Sequence, residues 1–322
     1  MVTRRTLRGA APVDTDRRIA AGIEDLVGST PLIRLDLDGV GPDVEILAKL
    51  ESANPLSSSK DRAALGMLRG AEARGQLVPG SGTVVEATSG NTGISLAALA
   101  ASRGYRCVIV LPDSATAERV ALLRALGAEV VQTPREEGYP GAIRKAEEIH
   151  AATPGSWFPC QHENQDNVQA HYESTGPEIW ADTAGRIDVL VCGVGTGGTL
   201  TGIARYLKEQ DPSIQVVAVE PENSPVLSRG TGGLHRIPGL NGGFVAPTTD
   251  VALIDLVVTV ADDDAMAATR SLARRSGILA GVSSGAVAHA CAELAAKPEF
   301  AGKTVVTVFP DTGERYLSLF TD

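Results

Sequence analysis

The chain has 322 residues, 43% apolar, 21% charged and 4% aromatic, with a formal net charge of −10. That length suits about two globular domains with an ample core, and the acidic balance argues against a nucleic-acid partner, which needs clustered cations to neutralise phosphate. No apolar run approaches the roughly 18–20 residues that cross a bilayer, and the basic N-terminus (Arg4, Arg5, Arg8, Arg17, Arg18) lacks the apolar core of a secretory signal, so a cytoplasmic location is expected.

Residues 1–20 carry no periodicity and read as a mobile tail. Thr30–Leu35 and Glu45–Leu50 read as strands, and Asp61–Arg74 as a helix after the break at Asn54-Pro55. Strands and helices then alternate: Thr83–Glu86, a helix from Thr92, Cys107–Leu111, Thr116–Leu126, Glu129–Gln132 and Gly141–Ala151. This is a run of β-α-β units and hence a parallel sheet. A polar stretch at Gln161–Asn167 separates it from a second run: Ile187–Cys192, a helix over Leu200–Leu207, Ile214–Val219, Leu256–Val260, a helix over Asp262–Arg275, another from about Ser284, and Thr304–Val308. The long Gly/Pro-rich stretch Gly230–Thr249 has no periodicity, and such loops are often functional. Four cysteines without a C-x-x-C and five histidines without ligand spacing read as buried thiols and no metal site.

Val189–Gly202 is a buried strand, a glycine turn and a helix, the geometry that offers backbone N–H groups to a phosphate. The spacing Gly193-x-Gly195-x-x-Gly198 also fits a dinucleotide fingerprint and a nicotinamide-dependent oxidoreductase. The acidic residue expected about 20 positions on is missing, since Asp211 comes early and Glu220 late. A tight β–α connection without a ligand is the third reading. Lys60 opens a helix, where the dipole disfavours a cation. If buried, its amine is suited to Schiff-base chemistry; if not, it is a surface lysine. Glu86–Gly93 opens another helix with hydroxyls, an amide and free N–H groups, suited to a carboxylate or to plain capping. Val282-Ser283-Ser284-Gly285 opens a third.

Taken in order, N-P-x-x-S-x-K-D-R at Asn54, T-S-G-N-T-G at Thr88, G-x-G-T-G-G-T at Gly193, G-x-S-S-G-A at Gly281 and P-D-x-G-E-R-Y-L-S at Pro310 resemble the cysteine synthase (O-acetylserine sulfhydrylase) family over about Ile23–Phe320. The resemblance implies a two-lobed α/β fold of the second pyridoxal-phosphate type, like the tryptophan synthase β chain, each lobe a mainly parallel sheet flanked by helices. Residues 46–160 would form the N-terminal lobe, and 21–45 plus 161–322 the C-terminal lobe.

It implies a transferase that binds pyridoxal 5′-phosphate. O-acetyl-L-serine would lose its β-substituent to give an α-aminoacrylate, which sulfide attacks at Cβ to give L-cysteine. Lys60 would hold the cofactor and serve as the base. Asn91 would bond the ring hydroxyl, Gly195, Thr196, Gly197, Gly198 and Thr199 would grip the phosphate, and Ser283 would face the ring nitrogen. Thr88, Ser89, Asn91 and Thr92, with Gln161, would bind the substrate carboxylate. A homodimer and a serine acetyltransferase partner are also implied.

Three departures from the family pattern fall where the nucleophile is expected: Ala115-Thr116 for M-S, Gln161-His162 for Q-F, and Gly239-Leu240-Asn241-Gly242-Gly243-Phe244 for G-I-G-A-G-F. All three make that region roomier or more polar. They open the alternative of another nucleophile (thiosulfate, cyanide, an amine or a ureido species), and the donor could equally be O-phosphoserine, for which Arg236 is the candidate cation.

Overall fold

The computed structural model describes residues 19–320, so the expected tail lies almost wholly outside it. In chain order the strands are β1 (Leu32–Leu35), β2 (Glu45–Leu50), β3 (Thr83–Ala87), β4 (Arg106–Pro112), β5 (Glu129–Thr133), β6 (Ser156–Trp157), β7 (Val189–Gly193), β8 (Gln215–Pro221), β9 (Leu256–Val260) and β10 (Thr304–Phe309). The helices are α1 (Lys60–Ala73), α2 (Asn91–Arg103), α3 (Ala117–Ala125), α4 (Gly138–Ala152), α5 (Gln165–Ala170), α6 (Gly176–Asp182), α7 (Gly198–Gln210), α8 (Val226–Arg229), α9 (Asp262–Ser271) and α10 (Val282–Ala295).

The larger sheet has the order β1-β2-β10-β7-β8-β9, parallel except for β1 against β2. The smaller has the order β5-β4-β3-β6 and is parallel throughout. The central strands are apolar on both faces because helices cover both. Along β7, Val189 and Val191 enter one core and Leu190 and Cys192 the other. Along β4, Cys107, Ile109 and Leu111 face one side and Val108 and Val110 the opposite one.

One boundary differs from the expectation of a lobe beginning at residue 46. β2 is an inner strand of the larger sheet, its residues paired with β1 on one side and β10 on the other. The crossing into the smaller sheet therefore follows Leu50. The polar stretch after β6 is also more than a joint. It leads into α5, a π-helical turn at His171–Thr175, and α6, none of which the periodicity indicates. The expected helix over Asp262–Arg275 ends at Ser271 and continues as a π turn to Ser276.

Candidate active site

Parallel strands from both sheets end at one cavity of about 350 Å³. β3 leads into Thr88–Thr92, β7 into the glycine turn, and β10 into Pro310 and Asp311, and all three segments line it. Ligands collect at such strand ends because helix N-termini converge there.

Lys60 lines this cavity and is not a surface lysine. It is the first residue of α1, reached through a tight loop in which Ser57 takes φ 61°. That loop is fixed from the larger sheet: Ser59 N donates to Pro310 O (2.8 Å), and Ser58 forms an isolated β-bridge with Asp311. Burial lowers the pKa of the Lys60 amine, while nearby Asp311 opposes the shift. The free-base form is what both Schiff-base formation and proton abstraction require.

Gly195, Thr196, Gly197 and Thr199 line the same cavity. Gly198 does not line it; it starts α7 with its Cα against the Asn167 amide. The turn tolerates no side chain at two points. A Cβ on Gly195 would lie 2.3 Å from Gly239 O, and Gly197 has φ 83° with Thr249 in the way. The first N–H groups of α7 have no intrahelical partner and are offered to an anion. The hydroxyls are braced from behind. Asn167 Nδ2 donates to Thr196 Oγ1 (3.0 Å), which leaves the Thr196 proton free to donate elsewhere. His171, fully buried and held neutral chiefly by that burial, lies 3.1 Å from Thr199 Oγ1 through Nε2. Sequence reasoning missed both supports, because a buried Asn and His on a helix face carry no motif.

Thr88, Ser89, Asn91, Thr92 and Gln161 all line the cavity at the N-terminus of α2. Thr92 Oγ1 donates to Gln161 Oε1 (2.6 Å), joining the two segments. Cys160, just before Gln161, takes φ 51°. Ser283, at the start of α10, lines the cavity too. The only cation besides Lys60 among the lining residues is Arg119, also unforeseen. Its guanidinium donates to Ser89 O (2.8 Å) and lies 5.6 Å from the Tyr316 ring centroid.

The departures from the family pattern separate. His162 lines the cavity, its ring 5.3 Å from that of Phe244 and 6.2 Å from that of Tyr139. Burial and then Lys60 push its pKa down to about 4, and its Nδ1 is buried without a partner. Asn241 lines the cavity, but its amide is taken up by neighbours: Oδ1 accepts from Ser224 Oγ (2.8 Å), after β8, and from Gly243 N (3.1 Å), and Nδ2 donates to Ser224 O (2.9 Å). Ala115 and Thr116 do not line it. Ala115 packs on the smaller sheet's core, and Thr116 caps α3. Arg236 is exposed, bound to Asp262 and Asp263 at the start of α9, and outside the cavity lining.

The model of the family described as pyridoxal-phosphate dependent enzymes matches residues 23–311. The chain belongs to that family. It is 46% identical over 299 residues to a cysteine synthase of Staphylococcus aureus, covering 92% of this chain and 95% of the relative. Among solved structures it is similar to cysteine synthase from Entamoeba histolytica (TM-score 0.93, 38% identity, 99% and 95% of the two chains) and to an O-ureido-L-serine synthase (TM-score 0.90, 42% identity, 94% and 96%). The fold is that of the type II pyridoxal-phosphate enzymes, and the donor set fits the cofactor. Backbone N–H groups and hydroxyls of the glycine turn, the Lys60 amine and the Ser283 hydroxyl line one cavity, a set suited to a phosphate and a Schiff base. No helix among the described residues is long and apolar enough to cross a membrane.

Proposed function

We propose that this chain replaces the β-substituent of O-acetyl-L-serine with sulfide, giving L-cysteine. The observation that carries this reading is the placement of Lys60, the Gly195–Thr199 cradle, the Thr88–Thr92 segment and Ser283 around one cavity. Pyridoxal phosphate, when bound, withdraws electrons from the amino acid's Cα, so that its proton and the β-substituent can leave.

The chain's residues do the rest. Gly195, Thr196, Gly197, Gly198 and Thr199 hold the phosphate, and Asn91 and Ser283 fix the ring. Thr88, Ser89, Thr92 and Gln161 bind the substrate carboxylate at the α2 N-terminus, where the dipole favours an anion. Lys60, its amine pKa lowered by burial, takes the Cα proton and can return it. Ser283 has chemical consequences through what it lacks. A hydroxyl would not hold a bound ring nitrogen protonated as a carboxylate would, which would favour loss of the β-substituent over transamination. Acetate is the favoured leaving group: Arg236 is tied to two aspartates outside the cavity, and Arg119 is the one arginine among the described residues that line it.

A second reading, the same first half followed by a protic nitrogen or oxygen nucleophile, is favoured by His162 alone. Its neutral imidazole gives the cavity a polar group where the family pattern has an aromatic. The homodimer and the serine acetyltransferase partner, implied by the resemblance, and the cytoplasmic location, expected from the sequence, are part of this proposal.

The test is a purified-protein assay. A visible absorbance band is expected that is lost in Lys60→Ala together with activity, and L-cysteine is expected from O-acetylserine plus sulfide. Equal or better turnover with hydroxyurea, or preferential consumption of O-phosphoserine, would displace the reading.

A further inference from the structure

Asn91 reaches its ligand with a carboxamide, which offers either an acceptor or a donor depending on which way it is turned. In this protein two charged side chains settle the matter. Arg315 donates to Asn91 Oδ1, and Asn91 Nδ2 donates to Asp311 Oδ2 (2.7 Å). A guanidinium can only donate and a carboxylate can only accept, so the amide cannot flip. Its oxygen is taken. What remains to face the cavity is the second N–H of Nδ2.

Asp311 is itself fixed. Tyr316 Oη donates to the same Oδ2 (2.6 Å). Its backbone carbonyl accepts from Gly281 N (3.2 Å), and its side chain lies so close to Gly281 that a Cβ there would fall 2.0 Å from Oδ1. Oδ1 is buried with no hydrogen-bond partner. A buried carboxylate oxygen left unpaired works against folding, so stability alone does not account for this side chain.

We propose that Asp311 is a positioning residue that turns the Asn91 amide so that only N–H faces the ligand, selecting an anionic oxygen at that point. The inference rests on the reading above that Asn91 touches the bound ligand. Two oxygens share that chemistry, the ionised ring hydroxyl of the cofactor and the carboxylate of the amino acid. Asp311 acts on either through Asn91 and touches neither reacting carbon.

The experiment is a double-mutant cycle read by binding. Apoprotein is titrated with pyridoxal phosphate, and holoprotein with O-acetylserine in the absence of any nucleophile, both followed by visible absorbance. Asp311→Asn, close to isosteric, and Asp311→Ala are each compared with the parent in the native background and in Asn91→Ala. In the native background both substitutions should weaken one of the two ligands about tenfold, the scale of one charge-supported hydrogen bond. Loss confined to the cofactor assigns the ring oxygen, and loss confined to O-acetylserine assigns the carboxylate. In the Asn91→Ala background the same substitutions should cost nothing further. Unchanged affinities in the native background, or an equal loss in both backgrounds, would overturn the proposal. A parent enzyme that fails to use sulfide would sink the proposed reaction, yet both titrations would still be readable.

Discussion

Glu86 sits on β3 directly before the substrate segment, 2% exposed, with Oε2 buried and unpaired. The backbone N–H groups of Ala87, Cys160 and Gln161 face its carboxyl, but burial outweighs them and pushes its pKa up to about 8. The acid is therefore neutral near pH 7. A group whose folded pKa lies above its unfolded value favours the native state most below the unfolded value. That advantage is lost as pH rises through the folded one. Between about pH 4.5 and 8 the native protein should lose stability on this account, by an amount on the order of 3 kcal/mol. Glu86→Gln, which is neutral throughout, should flatten that part of the curve. Urea unfolding of both proteins at pH 5.5 and 8 measures it, and parallel pH dependences would show that Glu86 is ionised in the fold.

At the level of elements, the glycine turn between β7 and α7 is the part most fully written in the sequence. A strand buried on both faces, a cluster of glycines and a helical period each leave a local signature, and the structure puts the turn at the cavity. Lys60 was not legible in the same way. Nothing within five residues of it says whether a lysine at a helix start is buried, because the contacts of its loop come from Pro310 and Asp311, some 250 positions away. The α5–π–α6 stretch was illegible for another reason. Its buried positions include Asn167, His171 and Thr175, so the apolar stripe that marks a helix is absent, and the π turn breaks the period. Ala115 and Asn241 show the limit of reading a site from motif departures. Ala115 packs on the core instead of the cavity, and the Asn241 amide is taken up by Ser224 after β8. Because Gly197 combines φ 83° with Thr249 against its Cα, Gly197→Ala should shift the turn and open the cradle. Cofactor affinity is expected to fall at least tenfold while far-UV circular dichroism stays native. Full cofactor retention after gel filtration would argue that the turn does not hold the phosphate.

Across the whole molecule, the cavity depends on how α1, which belongs to the smaller lobe, is set against the larger one. Arg62, two residues beyond Lys60, makes that joint. It donates to Glu51 after β2 (2.7 and 2.9 Å), to Glu178 on α6 (2.6 and 2.8 Å) and to Thr30 Oγ1 (3.1 Å). Lys49 completes the cluster, 2.9 Å from Glu178 and 2.9 Å from Asp182. Glu178 responds to these cations. Burial alone would raise its pKa, but its bonds to Arg62 hold it down to about 2. Arg62 and Glu51 are almost wholly buried, so removing the cation strands carboxylate charge in the interior, a change that costs about 3–5 kcal/mol. Arg62→Met should thus lower the unfolding free energy by that amount, and Arg62→Lys should recover little of it, since an ammonium cannot bridge two carboxylates with paired N–H groups. Glu178→Gln should cost less, because Glu178 is partly exposed and Lys49 keeps a second anion in Asp182. The same substitutions should loosen the start of α1 and with it Lys60, so the visible band of the bound cofactor should weaken in the order Met, Lys, parent. Denaturation midpoints that fall with no change in that band would mean that the charge cluster holds the lobes together without setting the lysine.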